Sequence, residues 1–151
     1  MKGMSYAIKQ YIVVNRQAAS KWTKSKVAVQ IAHASMAVLT NALKREKDFE
    51  IIVGGEHKKY ACYELMTNLD FAAWIDGSFA KVVLKAESSS DLWDLVQRAK
   101  LLDIPISEIV DSGATQPIES EQNLTIAIGP FNTENPNYAS LIKKLSNLKL
   151  Y

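Results

Sequence analysis

The chain has 151 residues, 48% of them apolar and 23% charged, with a formal net charge of +2 and a single cysteine. That size and balance fit one soluble domain with its own core, and one cysteine excludes both an internal disulfide and a cysteine-rich zinc site. No apolar run reaches the roughly 18 to 20 residues of a membrane span, and MKGMSYAIKQYIVV lacks the features of a signal peptide, so a cytoplasmic protein is expected. The net charge hides an asymmetry: Met1 to Arg45 carries eight Lys or Arg and no Asp or Glu, leaving ten basic and sixteen acidic residues for the rest. The two parts come to +8 and −6, a separation that suits a polyanion met by one face.

In chain order, Ile8 to Asn15 (IKQYIVVN) is short, β-branched and apolar, as a buried strand should be. A polar stretch, RQAASKWT, follows. From about Lys24 to Arg45 apolar residues recur at Val27, Ile31, Ala34 and Val38, and again at Ala28, Ala32, Leu39 and Ala42, which predicts a helix of about six turns. Two strands about Gly54-Gly55, FEIIV and KKYACYEL, read as a hairpin, with Cys62 expected as a buried, inert thiol. Leu69 to Asp76 predicts a short helix closed by Gly77, and Phe79 to Ala86 a second buried strand. Ser90 to Leu102 predicts a helix opened by a serine cap. Ile106 to Val110 and Leu124 to Ile128 suggest short strands, and Pro136 to Leu145 a last helix capped by Asn135.

Strands separated by helices call for crossover connections, so the fold class is α/β with helices on both faces of a mainly parallel sheet. Ligands in such sheets gather beyond the carboxyl ends of strands. Two segments qualify: the one after Asn15 that enters the long helix at Thr23-Lys24, and DSGATQ, Asp111 to Gln116, after the strand SEIV. If those strands run parallel, both segments share one rim. The lysines then stand at a helix N-terminus, where free N–H groups and the dipole favour an anion. Within the helix Lys26, Gln30 and His33 form a polar stripe beside the apolar one, which is the solvent side or the edge of a site. No HxxxH or CxxC occurs, and His33 and His57 lie far apart, so no metal site is expected. In DSGATQ a carboxylate, Asp111, is followed by Gly113, which permits close backbone approach, and by the Thr115 hydroxyl. An Asx-turn that only reverses the chain is one reading. The other sets Asp111 across a rim from a lysine, where it activates water while cation and hydroxyl stabilise an oxyanion, the minimum for hydrolysing an ester.

The segments KSKVAVQIAHA (24–34), KVVLK (81–85), DSGATQ (111–116), AIGP (127–130) and NLKL (147–150) resemble, in order, the signature blocks of peptidyl-tRNA hydrolases of the archaeal and eukaryotic type. AIGP or KVVLK alone is weakly diagnostic, whereas the first block at this distance from DSGATQ is highly specific. The resemblance implies a three-layer α/β/α sandwich around a four-stranded mixed β-sheet, in one domain over 1–151, often dimeric. It implies hydrolysis of the ester between a peptide and the 3′ ribose of tRNA, without metal or organic cofactor. By matching positions Lys24 is the active-site lysine, and Asp111 and Thr115 are the acid and hydroxyl. Gln30 and His33 match the family's glutamine and histidine of the same helix. Asp111 is then expected to position the water, Lys24 to stabilise the oxyanion or a terminal phosphate, and Thr115 to hold the carbonyl. Lys21 and Lys26 would meet the acceptor stem and Gly113 would let substrate close to the backbone, with recognition through backbone, shape and 2′-OH.

Three features depart from the family pattern. Ser25 replaces the glycine between the two lysines, and Leu124 replaces a threonine six residues before the proline of AIGP, with Thr125 one place along and on the opposite strand face. The hairpin near 49–65 looks like an insertion, able to shield the site, touch tRNA or reshape a dimer surface. A non-catalytic tRNA- or polyanion-binding protein is the alternative. An interaction module recruiting a protein along the hairpin edge is a third reading.

Overall fold

The computed structural model describes residues 7–110 and 124–151. Strands β1 (Ile8–Asn15), β4 (Lys81–Ala86), β5 (Ile106–Val110), β6 (Leu124–Asn132) and β7 (Lys149–Leu150) form one sheet in the order β5-β6-β1-β4-β7. The sheet has five strands, not the four the family resemblance implies, because the last residues add a two-residue edge strand antiparallel to β4. Nor is it mainly parallel: only β1 and β4 pair in parallel, while β6 runs antiparallel to both of its neighbours.

Helices cover both faces. Ile8 and Ile12 pack with Ala34 and Val38 of α2 (Lys24–Ala42) and with Phe71 and Trp74 of α3 (Leu69–Asp76). Val13, Leu84 and Ile126 face the other way, against Leu92, Leu95 and Val96 of α4 (Ser89–Leu101) and Leu141 and Leu145 of α5 (Ala139–Ser146). The alternation along β1 produces this division, since successive side chains leave opposite faces of a strand. Gln10 sits among the inward residues with no exposure, and is satisfied there. Ser35 Oγ donates to its Oε1 at 2.6 Å, and its Nε2 donates to the carbonyls of Ser35 and Gly129, both at 3.4 Å. Gly129 has φ +96°, and a Cβ there would meet the Lys9 carbonyl oxygen at 2.8 Å, so AIGP needs its glycine for both backbone and space.

Several element boundaries differ from the sequence reading. The polar stretch after β1 contains a short helix, α1 (Arg16–Ala19), capped by Asn15. The serine opening α4 is Ser88, whose Oγ accepts from the Asp91 N–H. Strand β6 continues through Gly129-Pro130 to Asn132, and a turn of 3-10 helix (Pro136–Tyr138), with Asn135 as its cap, precedes α5. Helix α2 stops at Ala42 rather than Arg45, and Ala28 and Ala32 face solvent beside Val29 and Met36 instead of joining the core.

The hairpin is longer than expected. It comprises β2 (Leu43–Val53) and β3 (Glu56–Leu65), joined by Gly54-Gly55 with φ +60° and +83°. Positive φ at both loop residues is the requirement of a two-residue hairpin turn of type I′, which glycine meets without strain. Lys44 to Lys47 suit a helix by propensity, but here Lys44 and Arg45 pair with Glu64 and Tyr63 of β3, and Glu46 and Lys47 fall in a register shift between Arg45 and Asp48. The two strands form a sheet of their own, and every residue of β2 is exposed. Cys62 is therefore exposed too, contrary to the buried thiol its alternating setting suggests, because alternation marks two faces without saying that either is covered.

Candidate functional site

Strands β1 and β5 each run antiparallel to β6, which lies between them, so they point the same way and their carboxyl ends, Asn15 and Val110, share one rim. β4, parallel to β1, brings Ala86 to the same rim. The condition for Thr23-Lys24 and the end of SEIV to lie together is met, although through an antiparallel strand and not a parallel sheet.

At this rim β1 ends in Asn15, only 1% exposed, whose Oδ1 accepts from the Gln17 N–H at 3.0 Å and the Ala18 N–H at 3.5 Å. The chain turns through α1 and Trp22, whose ring packs beside Val14, Ala19 and Val27. Thr23 then caps α2, its Oγ1 accepting from the Lys26 N–H at 3.1 Å. Lys21 and Lys24 are exposed around this entrance, and Lys26 Nζ stands 5.4 Å from the centroid of the Trp22 ring. The first turn of α2 holds no acidic residue. Two cations against the positive end of a 19-residue helix run counter to the dipole preference of about 0.3 to 1 kcal/mol each, and a bound anion reverses that balance. Arg16, at the start of α1, pairs with Glu87 at 2.8 Å; both side chains are 61% exposed, so the pair contributes little.

Gln30 and His33 do not share a surface. Gln30 is buried, 8% exposed, while His33 faces solvent. Thr125 stands opposite Val14 and is fully buried on the α2 side of the sheet. Gln30 Oε1, Thr125 Oγ1 and Asn15 Nδ2 are all buried without a hydrogen-bond partner among the described residues. Such atoms are rare in folded proteins, and three of them belong to residues of the rim or of the helix leading from it. The sequence reading missed Asn15 and Trp22. The cap signal of an Asn before RQAA could have found the first; nothing in the sequence singles out the second. Asp111, Gly113 and Thr115 lie outside the described residues. Among the described residues no group of three or more His, Cys, Asp or Glu could hold a metal ion. No described helix is long and apolar enough to cross a membrane.

Comparison with known proteins bears on the same blocks. A family model described as peptidyl-tRNA hydrolase PTH2 matches residues 8–150. A peptidyl-tRNA hydrolase of Thermococcus sibiricus is 31% identical over 145 residues, covering 96% of this chain and 98% of that protein. One from Haloquadratum walsbyi is 33% identical over 129 residues, 85% of this chain and 90% of its own length. A probable peptidyl-tRNA hydrolase 2 of Dictyostelium discoideum is 30% identical over 129 residues, 85% of this chain and 49% of that protein.

Proposed function

Because the chain belongs to the peptidyl-tRNA hydrolase PTH2 family, we propose that it hydrolyses the ester between a peptide, or an N-blocked aminoacyl group, and the 3′ ribose of tRNA. The observation that carries the assignment to this rim is that β1, whose end leads through α1 to Lys24 at the start of α2, and β5, whose last residue, Val110, directly precedes Asp111 in the chain, point the same way. Asp111 takes a proton from the attacking water. The carbonyl oxygen becomes an oxyanion next to the Lys24 ammonium while Thr115 holds it. Collapse of the tetrahedral intermediate breaks the bond to the 3′ oxygen, which leaves with the proton as a hydroxyl of free tRNA. The step balances without a cofactor. Lys21 and Lys26 meet phosphates of the acceptor stem, Gly113 gives the backbone room at the 3′ end, and Gln30 and His33 belong to the binding helix, one buried beneath it and one on its outer side. The protein acts in the cytoplasm, as a homodimer.

The test is turnover of N-blocked aminoacyl-tRNA. Removing one transition-state donor commonly lowers a rate by about 10²- to 10³-fold, roughly 2.7 to 4 kcal/mol, so Lys24→Ala and Asp111→Asn should each lose about that much and Thr115→Val less. Affinity for uncleaved tRNA should barely fall in Asp111→Asn, since removing a negative charge beside phosphate cannot weaken Coulomb attraction. Glu134→Gln, an exposed change beyond the far end of β6, is the control. Folded Lys24→Ala and Asp111→Asn proteins that turn over as fast as the parent would remove both residues from the chemistry. Salt-sensitive tRNA binding without turnover in the parent would establish the binding protein instead.

A further inference from the structure

The chain has three tryptophans in different settings. Trp74 is 1% exposed, packed beneath α2 and α3. Trp93 is 63% exposed on α4, but Asp91 and Asp94 flank it in the chain and their charge repels phosphate. Phe49 and Tyr60 stack on each other at 5.7 Å on the arm formed by β2 and β3, where five Lys or Arg meet five Asp or Glu between Leu43 and Leu65, so the arm has no net pull on a polyanion. Trp22 differs from all of these. It is partly exposed at the rim between the exposed Lys21 and Lys24, where the first turn of α2 holds no acidic residue.

The position of this indole is fixed from two directions. The N–H groups of Ser20, Lys21 and Trp22 donate to the carbonyls of Arg16, Ala18 and Ala19 at 3.0, 3.0 and 3.1 Å, which closes the turn that carries it. On its inner side the ring rests against Val14, Ala19 and Val27. Thr23 is extended, with φ −67° and ψ 158°, and its hydroxyl holds the Lys26 N–H, so the step from Trp22 to Lys24 is fixed as well. Two residues of chain span at most about 7 Å, so the indole stands within the reach of one nucleotide of the Lys24 ammonium. Lys26 Nζ, 5.4 Å from the ring centroid, lies near the roughly 6 Å limit of a cation–π contact. A rigid aromatic ring interleaved with cations is the means by which proteins hold unpaired nucleotides, the cations following the phosphates and the ring stacking a base.

We propose that the Trp22 indole is the stacking platform for the 3′-terminal adenine of tRNA, the base on the ribose that carries the ester. This rests on the hydrolase reading above and adds a substrate-binding residue to it. Stacking is tolerant of sequence, so the contact serves every tRNA alike, and it fixes the ribose, and with it the ester, against Lys24.

An uncharged acceptor-stem RNA with 2-aminopurine in place of the terminal adenine tests the stack without any turnover. Binding to the parent protein should quench its emission. Trp22→Leu, which keeps an apolar side chain over Val14, Ala19 and Val27, should abolish the quenching and weaken binding by about 5- to 150-fold, the range of one base–aromatic stack, while Trp22→Phe should keep most of both. The same RNA without its terminal base should bind the parent more weakly by a similar factor and bind Trp22→Leu no more weakly than the intact RNA does. The log–log salt slope should be the same for parent and Trp22→Leu, since a stack releases no counterions. Unquenched emission with the parent, or an equal loss on removing the base in parent and Trp22→Leu, overturns the proposal. So does a shallower salt slope in Trp22→Leu, which would mean that the ring only positions the lysines. Turnover of N-blocked aminoacyl-tRNA is read separately: a parent that hydrolyses it without quenching the base overturns the stack alone, and one that quenches without hydrolysing supports the stack and overturns the hydrolysis.

Discussion

Ser35 shows how one small hydroxyl holds the helix that carries Lys24. It faces a fully buried glutamine, Gln10, and its Oγ donates to Oε1 across 25 residues of chain. Ser35→Ala leaves that oxygen in the core without its donor, which costs about 1 to 3 kcal/mol, far more than an ordinary exposed hydrogen bond contributes. Urea unfolding should register that loss, with Ser146→Ala, an exposed hydroxyl bonded to the Ile142 carbonyl, near zero. Equal midpoints for the two variants would mean that water replaces the lost partner. Gly129 lies on the other side of the same glutamine. An alanine there combines φ +96° with a 2.8 Å approach to the Lys9 oxygen, so Gly129→Ala should lower stability by about 1 to 3 kcal/mol from backbone strain alone, more if the strand must shift. A melting temperature equal to the parent's would refute the steric account of the AIGP block.

At the scale of elements, α4 and α5 are tied by Asp94, which accepts from Lys144 of α5 and from Arg98 of its own helix at 3.1 Å. The Lys144 hydrogen bond holds the Asp94 carboxyl below the ordinary aspartate range; burial opposes it, and the Arg98 hydrogen bond adds to the lowering. A depressed native pKa contributes stability above the unfolded-state value, and that contribution disappears as pH falls through the native value. All three side chains are well exposed, 37 to 42%, so solvent screening holds the effect to less than about 1 kcal/mol. Below the ordinary aspartate range α5 should therefore loosen from α4, seen as faster amide exchange in Leu141 to Leu145. Asp94→Asn should flatten that acid dependence and slightly destabilise the parent at neutral pH. Exchange rates with the same acid dependence in both proteins would remove Asp94 from the account.

For the whole molecule, four of the eight basic residues between Met1 and Arg45 share one location. Arg16, Lys21, Lys24 and Lys26 gather around α1 and the entrance of α2, while the arm is electrically balanced and the acidic excess lies elsewhere in the chain. Association with tRNA should consequently weaken with salt, at a log–log slope of about −0.7 to −0.9 per phosphate contact. Lys21→Ala should make that slope shallower by about 0.7 to 0.9, whereas Lys58→Ala on the arm should leave it alone. Anisotropy titrations with labelled tRNA across a range of salt concentrations decide this. A slope unchanged by Lys21→Ala takes that residue off the RNA face, and one changed by Lys58→Ala returns the arm to it.

Local chemistry was enough for the elements whose residues choose their own conformation. IKQYIVVN is a strand over the residues expected, Leu69 to Asp76 is a helix ended by Gly77, and Gly54-Gly55 makes the turn, because β-branching, helical spacing and positive φ act within a few residues. The family blocks were also readable, since they are patterns of residue type, and they led to the same family as the match over residues 8–150. What neighbours decide was not readable. Gln30 and His33 stand three residues apart with similar polarity, yet one is buried and the other exposed, according to which side of α2 meets the sheet. Cys62 and Phe49 alternate like core residues and lie on an uncovered arm. The shared rim depended on β6 inserting antiparallel between β1 and β5, and its pairing with β1 joins residues as far apart in the chain as Val14 and Thr125, which no local propensity encodes. Sequence fixes what each segment prefers over short distances, whereas burial and convergence belong to contacts formed only when the chain closes on itself.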